Sequence, residues 1–66
     1  MRTELKVLRV KNNLTQKELA DQVGVSCPTY NLIEQGKREG STDFWLSIKQ
    51  LFNLEDNEVM KLYKNK

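Results

Sequence analysis

The sequence predicts a compact all-α domain, a bundle of about five helices, and three observations favour this fold class. Apolar residues recur at helical spacing almost throughout the 66 residues. One proline and three glycines leave few of the turns that join strands. Residues that can cap a helix stand just before several of the apolar segments. Because the chain is short, we expect one domain, residues 1–66.

The first helix is expected over about residues 4–12, with Thr3 as its cap. Leu5 and Leu8 are one turn apart and would form its apolar face. The segment KNNL that follows predicts the end of this helix.

The second helix is expected over the segment QKELADQV, after Thr15. Thr15 and Glu18 have the spacing of a capping box, in which the threonine side chain and the glutamate side chain each bind the other residue's backbone N–H. Its inward face is formed by Leu19, Ala20 and Val23.

Gly24 predicts the end of the second helix, because glycine readily adopts a positive φ. A third helix follows after three residues and is expected to run to Gly36. Two starts are open. Either Ser26 is the cap and Pro28 is the second helical residue, or Cys27 is the cap, and a poor one, and Pro28 is the first helical residue. In either case we expect the Cys27 thiol to be exposed.

Ser41 or Thr42 is expected to cap a fourth helix, whose apolar residues are Phe44, Trp45, Ile48, Leu51 and Phe52. Trp45 is expected in the core, whereas Phe44 is either partly buried or part of a dimer interface. After the turn NLED, a short fifth helix is expected from about Asp56 to Tyr63, with four residues available for packing: Val59, Met60, Leu62 and Tyr63.

Composition excludes several classes of protein. With no histidine and one cysteine, the chain has neither a Cys/His zinc site nor histidine-based catalysis nor an intrachain disulfide. We therefore expect no enzyme, no metal and no cofactor. The sequence has no apolar run long enough for a membrane span, and its start, MRTELKV, has no signal core. A cytoplasmic protein with no membrane partner is expected.

Charge is unevenly distributed, although the net charge is only +2. Residues 1–17 contain one acidic residue, Glu4, and five basic ones: Arg2, Lys6, Arg9, Lys11 and Lys17. Lys37 and Arg38 are adjacent in a loop. Charge alone leaves two interpretations open, solvated faces or a surface for nucleic acid.

The second and third helices, about residues 15–36, have the length and turn of a helix-turn-helix. On a helical wheel, one side of the third helix carries Thr29, Tyr30 and Ile33, which would face the core. The other side carries the residues that would face outward: Pro28, Asn31, Leu32 and Gln35.

The segment LRVKNNLTQKELADQVGVSCPTYNLIEQGKREGS resembles the phage repressor and Cro type of helix-turn-helix, also called the xenobiotic response element family. Its most specific pieces are Leu14-Thr15-Gln16, Glu18-Leu19-Ala20, Gly24-Val25-Ser26 and Ile33-Glu34-x-Gly36-Lys37. The resemblance implies a lambda-repressor-like DNA-binding domain, a five-helix bundle that binds double-stranded operator DNA as a homodimer.

The resemblance also implies roles for individual residues. Arg9 and Glu34 match a salt bridge between the first and third helices, and Gln16 matches a contact to phosphate. The positions matching DNA contacts are Gln16, Ser26, Cys27, Pro28, Thr29, Asn31, Leu32, Gln35, Lys37 and Arg38. At the base-reading positions this chain departs from the family's usual polar residues and has Cys27, Pro28 and Leu32.

That departure leaves three accounts open. The apolar residues contact thymine methyl groups while Asn31 reads adenine; or the protein selects deformable DNA without many base contacts; or this surface binds another protein. The expected function is a sequence-specific DNA-binding transcriptional regulator, a repressor acting on a partly palindromic operator. The alternative is a protein-interaction module such as an antitoxin-like component, with a protein partner.

Overall fold

A computed structural model describes residues 1–64, so the last two residues of the predicted domain lie outside the described residues. Residues 1–64 form five helices and no strand, as the apolar spacing predicted. The helices are α1 (Thr3–Lys11), α2 (Gln16–Val23), α3 (Cys27–Glu34), α4 (Thr42–Leu51) and α5 (Asp56–Lys64). None of the helices in this part of the chain has the length and apolar character to cross a bilayer.

The start of α2 follows the sequence prediction, whereas the start of α1 does not. At α2, the Thr15 hydroxyl accepts the Glu18 backbone N–H at 3.1 Å, and Glu18 Oε1 accepts the Thr15 N–H at 2.9 Å. Thr3 is instead the first helical residue of α1. The cap position is occupied by Arg2, which makes no side-chain capping hydrogen bond. Thr3 as a cap was therefore wrong by one position.

The core lies where all five helices meet. Each helix contributes at least one buried apolar side chain, and the core consists of Leu5, Leu19, Ala20, Val23, Tyr30, Ile33, Phe44, Trp45, Ile48 and Leu62. α3 packs against α1 and α2, and α5 packs against α1 and α4. This arrangement holds α3 on two sides and leaves its remaining surface outside the bundle.

Aromatic rings connect the middle of this core to α5. Phe44 and Trp45 meet edge to face with centroids 4.9 Å apart, and Trp45 meets Tyr63 in the same way at 5.8 Å. Phe44, expected either partly buried or at a dimer interface, is only 1% exposed and is therefore a fully buried core residue. Met60, in contrast, was expected to pack and is about half exposed.

Candidate nucleic-acid interface

α2 and α3 are joined by a tight turn in which Gly24 adopts the left-handed conformation, with φ 77°. The Val25 N–H donates to the carbonyl of Ala20 at 3.0 Å across this turn. The expected helix-turn-helix is therefore present, and its glycine is required by the backbone conformation, since a side chain there would be strained.

Of the two possible starts of α3, the structure has the first. Ser26 is the cap, and its hydroxyl accepts the Thr29 N–H at 3.2 Å and donates to the Thr29 hydroxyl at 2.8 Å. Cys27 is the first helical residue and Pro28 the second. The Cys27 side chain is partly buried and packs against the core, so it is less exposed than expected.

α3 ends at Glu34, two residues earlier than expected. Gly36 adopts φ 81°, and the Lys37 N–H returns to the carbonyl of Leu32 at 2.9 Å. This pattern terminates the helix and holds the following backbone against its last turn. Lys37 and Arg38 follow directly, and both are exposed.

Arg9 and Glu34 join α1 to α3 through an ion pair. Arg9 Nε lies 2.9 Å from Glu34 Oε2, and Nη2 lies 3.3 Å from Oε1. Both side chains are largely shielded, with 11% and 2% exposure. Burial alone would raise the pKa of Glu34, but hydrogen bonds led by the one from Arg9 hold that pKa below its ordinary value. The carboxylate is therefore ionised at neutral pH.

A chain of side-chain hydrogen bonds leads from this ion pair along α3. Gln16 Nε2 donates to Glu34 Oε1 at 3.3 Å, Asn31 Nδ2 donates to Gln16 Oε1 at 3.0 Å, and Gln35 Nε2 donates to Asn31 Oδ1 at 2.8 Å. We call Arg9, Glu34, Gln16, Asn31 and Gln35 the amide chain. Because the carboxylate can only accept, it fixes which way each amide is oriented.

Beside the amide chain lies a shallow, mainly apolar hollow, which we call the α3 depression. It is lined by Gln16, Cys27, Pro28, Asn31 and Leu32. The three apolar members of this set are the residues that depart from the resembled family. Four of the five residues belong to one side of α3, and Gln16 contributes from the first position of α2.

The structure thus brings together most of the predicted contact residues. Gln16, Asn31 and Gln35 meet in the amide chain, and Cys27, Pro28 and Leu32 meet in the α3 depression. Ser26 and Thr29 form the capping pair. Thr29 lines a different hollow, together with Ile33 and Arg38, and is therefore separate from the α3 depression.

Sequence reasoning missed Arg2, which fixes the C-terminal end of α3. Arg2 is fully buried, and its backbone N–H donates to the carbonyl of Glu34 at 2.7 Å. Its guanidinium donates to the carbonyls of Ile33 and, at 2.7 Å, Arg38. An arginine at the start of a basic segment gives no local signal of burial, because its partners lie more than 30 residues away.

The chain belongs to the helix-turn-helix domain family, whose model matches residues 1–62. An uncharacterised HTH-type transcriptional regulator of Archaeoglobus fulgidus is 39% identical over 59 residues, covering 89% of this chain and 83% of that protein. One of Methanocaldococcus jannaschii is 38% identical over 59 residues, covering 89% of each chain. A second from Archaeoglobus fulgidus is 40% identical over 53 residues, covering 80% and 76%. No solved structure matches this chain.

Proposed function

We propose that this protein is a sequence-specific DNA-binding regulator of transcription, of the phage repressor and Cro type. The observation that carries the proposal is the helix-turn-helix itself: α3 is braced from α1 by the Arg9–Glu34 ion pair and keeps one side outside the bundle. The names of the archaeal relatives support the same function. In this proposal α3 enters the major groove and α2 lies across the backbone.

The charges around α3 suit a DNA backbone. Lys37 and Arg38 are exposed directly after α3, where they can reach phosphates on one side of the groove. Gln16 is at the first position of α2, where free backbone N–H groups and the helix dipole favour an anion. Its second amide hydrogen is available for a phosphate while the first binds Glu34.

Two copies are required for a palindromic operator. Half-sites lie one helical turn apart, roughly 34 Å. The Cα trace extends 26 Å along its longest axis, less than the separation of two half-sites, so one copy covers one half-site. We therefore propose a homodimer that represses transcription by occluding polymerase from the operator. Because a regulator of this kind acts where the DNA is, we also propose a cytoplasmic location.

Salt dependence of duplex binding tests the proposal. A regulator that neutralises phosphates loses affinity steeply as salt rises, with log K falling linearly with log salt. We expect Lys37→Ala to weaken binding to every sequence alike and to reduce that slope by about one. The measurement is fluorescence anisotropy of a labelled random-sequence duplex over a series of salt concentrations.

Lys61→Ala is the matched control, because Lys61 is also exposed but belongs to α5. It should leave the slope unchanged. If the protein binds duplex DNA no better than a globular protein of equal net charge at low salt, the proposed function is wrong.

A further inference from the structure

The α3 depression has an apolar floor that offers almost no hydrogen bonds. Leu32 has no polar side-chain atom, Pro28 has no backbone N–H, and a cysteine thiol is a weak donor. Pro28 is exposed and Leu32 and Cys27 are partly exposed, so this floor is open to a partner. A polar group that enters the α3 depression would therefore lose its hydrogen bonds to water and meet no strong donor or acceptor on the floor.

The two amides at the edge of the depression are already engaged. Asn31 donates to Gln16 and accepts from Gln35, and Gln16 donates onward to Glu34. Turning either amide toward the floor would break a bond to the shielded Glu34 carboxylate or to a neighbour in the amide chain. The floor therefore stays apolar while the amide chain is intact.

The major groove presents hydrogen-bond donors, hydrogen-bond acceptors and one apolar group, the 5-methyl group of thymine. A donor or acceptor of a base edge placed on the floor would lose its water without replacement, which costs free energy. The methyl group has the opposite preference, because burying it is favourable. Of the groups that the major groove presents, the floor therefore favours the methyl group of thymine.

We infer that the α3 depression is a recognition site for the 5-methyl group of thymine, with Leu32 as the residue that determines the specificity. The inference rests on the proposed function, since it requires α3 to lie in the major groove. Asn31 keeps one amide hydrogen and one lone pair beyond the amide chain, and these match the N7 and N6 edge of a neighbouring adenine. Thymine is then read by its methyl group, without a hydrogen bond.

The test compares two duplexes that differ only in this methyl group, alternating dA-dT and alternating dA-dU of equal length. Anisotropy at one fixed low salt concentration gives both dissociation constants. We expect the thymine duplex to bind roughly fourfold more tightly for each methyl group buried by α3, which corresponds to about 0.8 kcal/mol. Equal affinity for the two duplexes would overturn the inference and leave the proposed function intact.

Protein variants distinguish a contact between the methyl group and the α3 depression from an effect of the methyl group on DNA shape. Leu32→Ala should bring the ratio of the two dissociation constants close to one, whereas Leu51→Ala, at an exposed leucine of α4, should leave it unchanged. A ratio that survives Leu32→Ala would show that the DNA's shape is being read, and would overturn the inference.

Leu32 is partly buried, so circular dichroism should verify that its variant folds. Pro28→Ala removes part of the same floor at an exposed position and provides a second variant, expected to lower the ratio by a smaller factor. An unchanged ratio in both variants would contradict the assignment. Absence of binding to either duplex would instead overturn the proposed function.

Discussion

Arg2 is a buried charge whose hydrogen-bond partners are mainly backbone carbonyls. Besides Ile33 and Arg38, its guanidinium donates to the carbonyl of Tyr63 at 3.3 Å. It also lies over the rings of Trp45 and Tyr63, 5.4 and 5.6 Å from their centroids. Burial lowers the pKa of Arg2 and the Glu39 carboxylate counteracts this, but an arginine stays protonated. One side chain thus joins the ends of α3 and α5 to α4.

We expect Arg2→Ala to reduce the free energy of unfolding by about 3 kcal/mol, because buried carbonyls at the end of α3 lose their donors. Arg2→Lys should restore less than half of this loss, since one ammonium group cannot reach three separate segments. Urea unfolding followed by circular dichroism measures both changes. Lys6→Ala, at an exposed position of α1, should stay within about 0.5 kcal/mol of the parent protein. A similarly small effect of Arg2→Ala would contradict this role.

The position of α3 relative to α1 depends on a carboxylate at the end of α3. Glu34 accepts from Arg9 of α1 and from Gln16 of α2, so one residue relates three helices. It also sets the direction of every bond in the amide chain. A glutamine at position 34 would replace one carboxylate oxygen by an NH2 group. If that group faced Gln16, it would place a donor against a donor. If it faced Arg9, the hydrogen bond to Arg9 would be lost.

We therefore expect Glu34→Gln to reduce the free energy of unfolding by about 3 kcal/mol at neutral pH, because it leaves Arg9 shielded and without its counter-ion. The variant should also be less sensitive to acid. Since the pKa of Glu34 is lower when folded, the carboxylate stabilises the fold above the ordinary glutamate pKa of 4.5. That contribution disappears as pH falls through the lower, folded pKa.

Urea unfolding at neutral and successively lower pH tests both expectations. Asp21→Asn removes an exposed carboxylate of α2 and serves as the control, which should keep the acid dependence of the parent protein. The assignment of acid sensitivity to Glu34 would be wrong if Glu34→Gln and the parent protein lost stability in parallel below the ordinary glutamate pKa.

Within residues 1–64, features encoded by neighbouring residues could be predicted from local patterns, whereas the one distant contact that was expected, Arg9–Glu34, came from the family resemblance. The helices, the Thr15 capping box and the turn at Gly24 follow from residues a few positions apart. The burial of Arg2 and the links of the amide chain between helices depend on pairs separated by 15 to 61 residues, which periodicity does not specify. Helical spacing also left the burial of Phe44 open, because it does not show which other helices cover a side chain.

The dimer proposed above needs a surface that a second copy can cover. Leu46 of α4 and Met60 of α5 are each 48% exposed and line one groove, whose base includes Trp45, Val59 and Tyr63. Single exposed apolar residues are ordinary, but two beside a mainly apolar groove favour a contact there. This groove is separate from the α3 depression, since the two share no residue.

We expect the double substitution Leu46→Glu and Met60→Glu to convert the dimer to a monomer, because two carboxylates of each copy would be desolvated against apolar groups. Sedimentation equilibrium gives the mass directly. Val7→Glu and Val10→Glu on α1, where both valines are about half exposed, form the matched control and should leave the dimer intact. If the control pair dissociates the dimer and the α4–α5 pair does not, the contact lies on α1. Because operator affinity depends on two joined half-sites, the dissociating pair should also weaken operator binding while leaving single half-site binding unchanged.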